Sequence, residues 1–273
     1  MGNKLKIDAT VITTKGNVRS NNEDNFYFNG LIMKKTDNSD FCTYSLSTTG
    51  QNFIFAVCDG MGGEECGEEA SFSAVQALQD MYVDLKSQKF SSITHLKDFM
   101  DCYVDLSNTL ICKHSNSINK RMGTTLASVI FFEARALALN IGDSRVYLFR
   151  DSCIMQLTTD HNEAEQLIRL GILNKDTARL HISKNVLTRH LGISPQYGKM
   201  EADYSDEIKV QKGDLYLICS DGLTDSINDE SLSNCLANFD SSYSTCKKLI
   251  DLSTKNNATD NITAQIIKIS DIL

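Results

Sequence analysis

The chain is sparing with proline: Pro195 is alone among 273 residues. With no Pro-, Gly- or Ser-rich stretch to act as a linker, one domain over 1–273 is expected, long enough to bury a sizeable core. Apolar runs are short. None approaches the ~18 residues of a membrane-crossing helix, and the opening Met1-Gly2-Asn3-Lys4-Leu5-Lys6 has no apolar signal core. Lys6 stands where a myristoylation signal carries Ser or Thr, so no lipid anchor is expected. Positive charge is in deficit, with 27 Lys and Arg against 35 Asp and Glu and a formal net charge of -8. That balance argues against nucleic acid or an anionic membrane as partner. The nine cysteines are odd in number and include no C-x-x-C pair. Cys58 and Cys219 fall in apolar runs, where the thiol packs as a small hydrophobe, so a reducing, cytoplasmic compartment is expected.

What is present is a succession of strand and helix patterns. Residues 4–14 alternate Leu5, Ile7, Ala9 and Val11 with Lys6, Asp8 and Thr10, the period of a half-buried strand. A turn at Lys15-Gly16-Asn17 and a strand through Phe26-Tyr27-Phe28 follow, then a polar stretch, 31–51, expected as a hairpin or long loop. The apolar run 53–58 reads as a buried strand. From about Glu65 the period becomes helical, through Val75, Leu78, Tyr82 and Leu85. Past a Ser/Lys-rich loop at 86–92 it repeats in Leu96, Phe99, Tyr103, Leu106 and Leu110. Glu64, Glu65, Glu68 and Glu69 crowd the first helix's N-terminal end, where the helix dipole favours negative charge. Strands return at 126–132, 135–141, 146–149 and 153–157, two of the links being the hairpin-length Glu133-Ala134 and Asp151-Ser152. A short helix at 162–170 stopped by Gly171 comes next, then short helix within 172–185. Strand candidates lie at 186–191, 207–210 and 215–219, helices near 229–238 and 242–254, and a last strand at 262–269. Strands, two helices, strands, two helices and a strand, linked by short hairpins, predict an α+β chain with mainly antiparallel sheets.

Acidic motifs recur at the strand ends. Asn22-Glu23-Asp24, Asp59-Gly60, Asp221-Gly222 and Asp260-Asn261 put a carboxylate in or beside a tight turn, and Gly142-Asp143-Ser144-Arg145 lies between two strands. Asp59 ends the 53–58 run and is followed by Gly60, Gly62 and Gly63, which would let backbone come close to whatever the carboxylate binds. A lone Asp-Gly is an ordinary turn. Two of these, however, directly follow apolar strands, where burying a carboxylate is costly without a cation or hydrogen bonds. Carboxylates converging without Cys or His would suit a hard cation, Mg²⁺ or Mn²⁺, in oxygen coordination. The residues by themselves support a carboxylate metal site and go no further.

In series, Arg19-x-x-x-Glu23-Asp24, Asp59-Gly60-Met61-Gly62-Gly63, Gly123-Thr124-Thr125, Gly142-Asp143-Ser144-Arg145, Ser220-Asp221-Gly222-Leu223 and Asp260-Asn261-Ile262-Thr263 resemble the signatures of the metal-dependent protein phosphatase 2C family. Asp160-His161-Asn162, Asn185-Val186-Leu187-Thr188-Arg189 and Leu191-Gly192 are similar to the segment after the fourth motif in its bacterial branch. The resemblance spans about residues 7–268. It implies a four-layer α-β-β-α sandwich, two mainly antiparallel sheets flanked by helices, with two Mn²⁺ or Mg²⁺ ions at one edge between the sheets. It also implies roles. Asp59 would bridge the ions, the Gly60 carbonyl would ligate one, and Asp221 and Asp260 would complete the other. Glu23 and Asp24 would hold waters of the centre, a third and weaker ion would sit on Asp143 and Asp221, and Arg19 would bind the substrate phosphate with its planar fork.

The function implied is a protein serine/threonine phosphatase, with Arg19, Asp59 and Asp221 as the catalytic set and an activated water attacking phosphorus. The alternatives are a non-catalytic phosphoprotein-binding relative and a small-molecule phosphatase. Partners would be phosphorylated proteins, opposing a Ser/Thr kinase, and the chain would be a monomer. No His-Cys-x5-Arg loop is present, so none of the cysteines is expected to be a nucleophile. Many eukaryotic members carry a His directly after the Asp-Gly pair, proposed to protonate the leaving alkoxide. Here that residue is Met61, so the sequence names no general acid and a water of the centre is the default. His161 is expected to order flap backbone, and His95, His114, His181 and His190 to be structural, loop or core residues. Arg145 and Arg189 read as salt-bridge partners. Residues 162–196 would form a mobile flap beside the site, their polarity suiting an exposed element.

Overall fold

The apolar run before Asp59 becomes the middle of a sheet, and its side chains divide by the strand period of two. Ile54, Ala56 and Cys58 enter one buried cluster, and Phe53, Phe55 and Val57 enter another. A strand covered on both faces reads as a continuous hydrophobic run. The computed structural model describes residues 2–37, 40–62, 66–85 and 90–273. Gly63, Glu64, Glu65 and most of the expected 86–92 loop lie outside the described residues.

The chain opens with β1 (Leu5–Thr14), β2 (Asp24–Phe28), β3 (Leu31–Ile32), β4 (Phe41–Gly50) and β5 (Asn52–Met61). Helices α1 (Gly67–Leu85) and α2 (Ile93–Ile118) follow, then β6 (Gly123–Thr124), β7 (Leu126–Phe132), β8 (Arg135–Ile141), β9 (Arg145–Arg150) and β10 (Cys153–Gln156). Short helices α3 (Glu163–Arg169) and α4 (Lys175–Arg179) lead through two 3-10 turns to β11 (Asp203–Tyr204), β12 (Ile208–Lys209) and β13 (Leu215–Cys219). The chain closes with α5 (Asp221–Ser226), α6 (Asp229–Ala237), α7 (Ser242–Lys255) and β14 (Ile262–Ile272).

One sheet has the order β10-β9-β13-β14-β1-β4. The other has β11-β8-β7-β5-β2-β3, with β12 and β6 pairing off that path. Every strand pair is antiparallel. Three buried clusters separate four layers. One lies between α1–α2 and the β5 sheet, one between the two sheets, and one between the β14 sheet and α5–α7. This is the expected four-layer α-β-β-α sandwich. Each large side chain buried in these layers stabilises the fold by roughly 1.5–3 kcal/mol.

Four differences from the sequence reading have physical causes. The stretch expected as a hairpin or long loop, 31–51, contains the ten-residue strand β4, which pairs with β1 and not within the stretch. It is an edge strand rich in Ser and Thr whose residues alternate between exposed and half-buried, so it lacks the apolar run of a central strand. Residues 186–191 form no strand and make only isolated bridges at Leu187 and Leu191. On α2, Leu106 and Leu110 are exposed, and the buried face runs through Val104, Ser107 and Ile111 instead. Asp221 does not sit in a turn but begins α5, a short helix the sequence reading omitted. The two links read as hairpins by their length carry the positive φ common in tight hairpin turns, 53° at Glu133 and 51° and 61° at Asp151 and Ser152.

Candidate active site

The same alternation that sorts β5 into two cores places its carboxylate. Asp59 has the parity of Phe53, Phe55 and Val57, so it faces the opposite sheet at the mouth of the sandwich. In the neighbouring strand Asp24 pairs directly with Asp59. Two like charges opposite one another on a buried face destabilise a sheet unless something compensates them. Compensation of Asp24 begins across the sandwich: Ser220 and Thr263 of the facing sheet each donate a hydroxyl to its Oδ2 at 2.7 Å. Its Oδ1 has no hydrogen-bond partner among the described residues. Burial pushes the Asp24 carboxyl up to about 7, against the two hydroxyl bonds and helped by Asp260 and Asp221.

Asp59 itself is held by backbone. Its N–H donates to Thr125 Oγ1 at 2.9 Å, and its carbonyl accepts from the Thr124 hydroxyl at 2.8 Å and the Thr125 N–H at 2.9 Å. Burial, then Asp24, Asp221 and Asp143, raise its carboxyl well above the usual range. Asp221, also raised to about 7 by burial and by Asp225 and Asp260, has a buried Oδ1 with no hydrogen-bond partner among the described residues. Asp143 is raised by burial and by Asp221, and Glu23 by burial and by Glu68. Arg19 lies on Asp260, Nη2 to Oδ2 at 2.6 Å. Asn261 ties that corner together, accepting from the Glu23 N–H at 2.8 Å and donating to the Asn21 carbonyl at 2.8 Å.

The strand does not end at Asp59 as the sequence suggested. It continues through Gly60 and Met61, which pair with Thr124 and Gly123 of β6. Gly60 is required by packing. A Cβ there would stand 2.1 Å from the Gly67 carbonyl oxygen and 2.5 Å from that of Glu23. Arg19, Glu23, Asp59, Gly60, Asp143, Asp221 and Asp260 all line one cleft of about 790 Å³. Asp24 lies beneath it. Among the described residues no three acids close on a single point by themselves; a hard cation also accepts backbone carbonyl and solvent oxygens as ligands. Mutually repelling buried carboxylates with unpaired oxygens fit divalent cations.

The segment 162–196 packs on itself and on the core. Asn162 bridges Leu187, and the Glu163 N–H donates to the Val186 carbonyl at 3.0 Å. Its tip meets α5: Arg179 donates to the Thr224 carbonyl at 3.0 Å, and Lys184 pairs with Asp225 at 2.7 Å. Lys184, Asp225, Asp143 and Asp221 border both the main cleft and a side chamber of about 520 Å³. Arg145 and Arg189 are salt-bridged as expected, to Asp160 and Asp203. His161 is buried and orders backbone. Its Nδ1 accepts from the Gly142 N–H at 3.1 Å, so the proton is on Nε2, 2.9 Å from Asp203 Oδ2. His190, expected in loop or core, lines the cleft. Sequence reasoning also assigned no role to Thr124, Thr125, Ser220, Asn261 and Thr263. Their nearness to the acidic motifs was the available signal, whereas nothing along the chain links Lys184 to Asp225.

Residues 31–262 match the sequence model of a family described as Protein phosphatase 2C. The chain belongs to the protein phosphatase 2C family. It is 30% identical over 259 residues to the serine/threonine phosphatase stp of Listeria monocytogenes serotype 4b, covering 94% of this chain and 93% of that one. It is 28% identical to the protein phosphatase PhpP of Streptococcus pneumoniae over 240 residues, 88% of this chain and 94% of that one. The crystal structure of the Mycobacterium tuberculosis serine/threonine phosphatase PstP/Ppp superposes with a TM-score of 0.80 at 26% identity, covering 98% of this chain and all of that one (100%). The catalytic domain of PstP in complex with two manganese ions superposes with a TM-score of 0.78 at 26% identity, with 98% and 100% coverage. The activity expected from the motifs, that of a serine/threonine protein phosphatase, is the activity of this protein phosphatase 2C enzyme.

Proposed function

We propose that this cleft hydrolyses phosphoserine and phosphothreonine in proteins, with Asp59, the Gly60 carbonyl, Asp221 and Asp260 holding two divalent ions. The observation that carries the assignment is the buried group Asp24, Asp59, Asp143 and Asp221, mutually repelling and with the Oδ1 atoms of Asp24 and Asp221 unpaired. When bound, the ions lower the pKa of an attacking water and offset charge on the phosphoryl oxygens. The chain's own residues do the rest. Asp59 is presented by a strand locked at its backbone, so the ligand set is rigid before substrate arrives. Arg19, parked on Asp260, offers its fork to the phosphate. Glu23 and Asp24 hold water around the ligand set. Asp143 and Asp221, on the boundary of cleft and side chamber, would hold a third, weaker ion.

In this reading 1–273 acts as one catalytic domain, with 162–196 as its flap. It works as a monomer in the cytoplasm and reverses a Ser/Thr kinase. The test is Mn²⁺ calorimetry together with phosphothreonine-peptide hydrolysis. EDTA should abolish turnover, and an Asp59→Asn/Asp221→Asn double variant should lose both binding and turnover. Hydrolysis that survives in that variant would sink the assignment. Faster turnover of sugar phosphates than of phosphopeptides would favour the small-molecule alternative, and absence of Mn²⁺ binding the non-catalytic one.

A further inference from the structure

Hydrolysis of a phosphoserine or phosphothreonine ester expels an alkoxide, a far poorer leaving group than a phenolate, so a proton donor at the ester oxygen is worth a large rate factor. Of the acids that line the cleft, Asp59, Asp143, Asp221 and Asp260 are proposed metal ligands, Glu23 holds water and Asp225 is paired with Lys184 at 2.7 Å, while Met61 offers no proton. Among the described residues lining the cleft, one imidazole is present, that of His190.

Its placement is specific. β6 pairs Gly123 with Met61 on one side. On the other, the His190 ring lies against Gly123, where an added Cβ would stand 2.5 Å from Nδ1 and 3.0 Å from Cε1. Gly123 thus leaves room for an imidazole next to Met61. The ring is also oriented. Nδ1 is 2.9 Å from the Leu191 carbonyl oxygen, which can only accept, so Nδ1 carries a proton in both charge states of the ring. The second proton of the imidazolium is therefore on Nε2. The backbone around the ring is fixed, since Thr124 and Leu191 exchange both backbone hydrogen bonds, at 3.1 and 2.9 Å. β6 brings no charged side chain to the ring, and the adjacent Arg189 is held by Asp203 at 2.6 Å. The charges that share the cleft with it are Arg19, Lys184 and the acids already named.

We propose that His190 is the general acid of this phosphatase. As the attacking water forms its bond to phosphorus, the bond from phosphorus to the seryl or threonyl oxygen breaks and its electron pair passes to that oxygen. Nε2 delivers its proton there, releasing the alcohol. Nδ1–H stays on Leu191, and the neutral ring regains a proton from solvent. The water's proton leaves with phosphate or bulk solvent, so atoms and charge balance without a further reactant.

The assignment rests on the phosphatase reading of the cleft, and a leaving-group comparison separates the two. The metal-loaded full chain and its His190→Gln and His190→Ala variants are assayed on a phosphothreonine peptide and on p-nitrophenyl phosphate. Nitrophenolate leaves without protonation, so it reports the rest of the machinery. The expected result is a fall in peptide kcat of about 100-fold, with a fall of about tenfold or less on the aryl ester. The alkaline limb of the peptide pH–rate profile should vanish, and added imidazole should partly rescue His190→Ala. An equal loss on both substrates, or an unaltered peptide kcat and pH profile, overturns the role of His190. If the unaltered chain with Mn²⁺ hydrolyses neither substrate, the phosphatase reading fails instead.

Discussion

At the scale of single residues the site depends on side chains that are missing as much as on those present. Gly60 passes so close to the Gly67 and Glu23 carbonyls that a methyl group has nowhere to go, because both obstacles are backbone. Gly60→Ala is expected to cost about 1–3 kcal/mol or more through overpacking. It should also abolish Mn²⁺ binding by displacing the carbonyl beside Asp59. A urea titration and calorimetry would show both, and an unchanged denaturation midpoint would contradict the packing argument. Arg19 spans the mouth from Asp260, and in the free enzyme this exposed pair adds little stability. Arg19→Ala should therefore leave the melting temperature within a degree or two, yet lower kcat/KM on phosphopeptides by about a hundredfold. Equal kcat/KM in the two proteins would remove Arg19 from phosphate binding. Arg19, Asp59 and Asp221 were legible because their motifs are short and adjacent in the chain. His190 was not, since its value depends on the bare Gly123 backbone from a distant segment.

At the scale of elements, the decisive contact is the pairing of β2 with β5. The antiparallel register sets Asp24 opposite Asp59, and strand parity turns Asp59 toward the facing sheet, where Ser220 and Thr263 reach Asp24. Natural sequences accept such repulsion only where function requires it. Asp24→Asn removes one charge from the group while keeping the shape. The metal-free variant should unfold at a higher temperature than the unaltered protein, and its Mn²⁺ affinity should fall about 10- to 100-fold. A lower melting temperature in the metal-free variant would mean that the two hydroxyl bonds outweigh the repulsion. Periodicity revealed β1, β5, β13, α1 and α2 because each buries a continuous face. It hid β4, whose Ser and Thr residues at a sheet edge carry little hydrophobic signal, and α5, whose six residues are too few to show a helical period.

For the whole molecule, the buried acids couple stability to pH and to metal. Asp24 and Asp221 have carboxyls raised from 3.8 to about 7 in the folded chain. Between those values the folded state binds more protons than the unfolded one, so stability falls as pH rises. The metal-free protein should therefore melt at a higher temperature at pH 5 than at pH 8. Mn²⁺ at a hundred times its Kd should restore about 2.7 kcal/mol per site at the higher pH. Scanning calorimetry with and without EDTA would check this, and a metal-free protein most stable at pH 8 would contradict it. No helix of the described residues is long and apolar enough to cross a membrane. The sequence by itself determined the main strands and helices other than β4 and α5, the antiparallel sheets and the identity of the acidic motifs, because each is written in local periodicity or adjacent residues. Only the tertiary structure decided that β5 continues through Gly60, that Asp24 lies beneath the cleft, that Lys184 meets Asp225, and that His190 lies against Gly123. Those facts depend on strand register and on segments far apart in the chain, and no local pattern encodes which distant backbone will leave room for a given side chain.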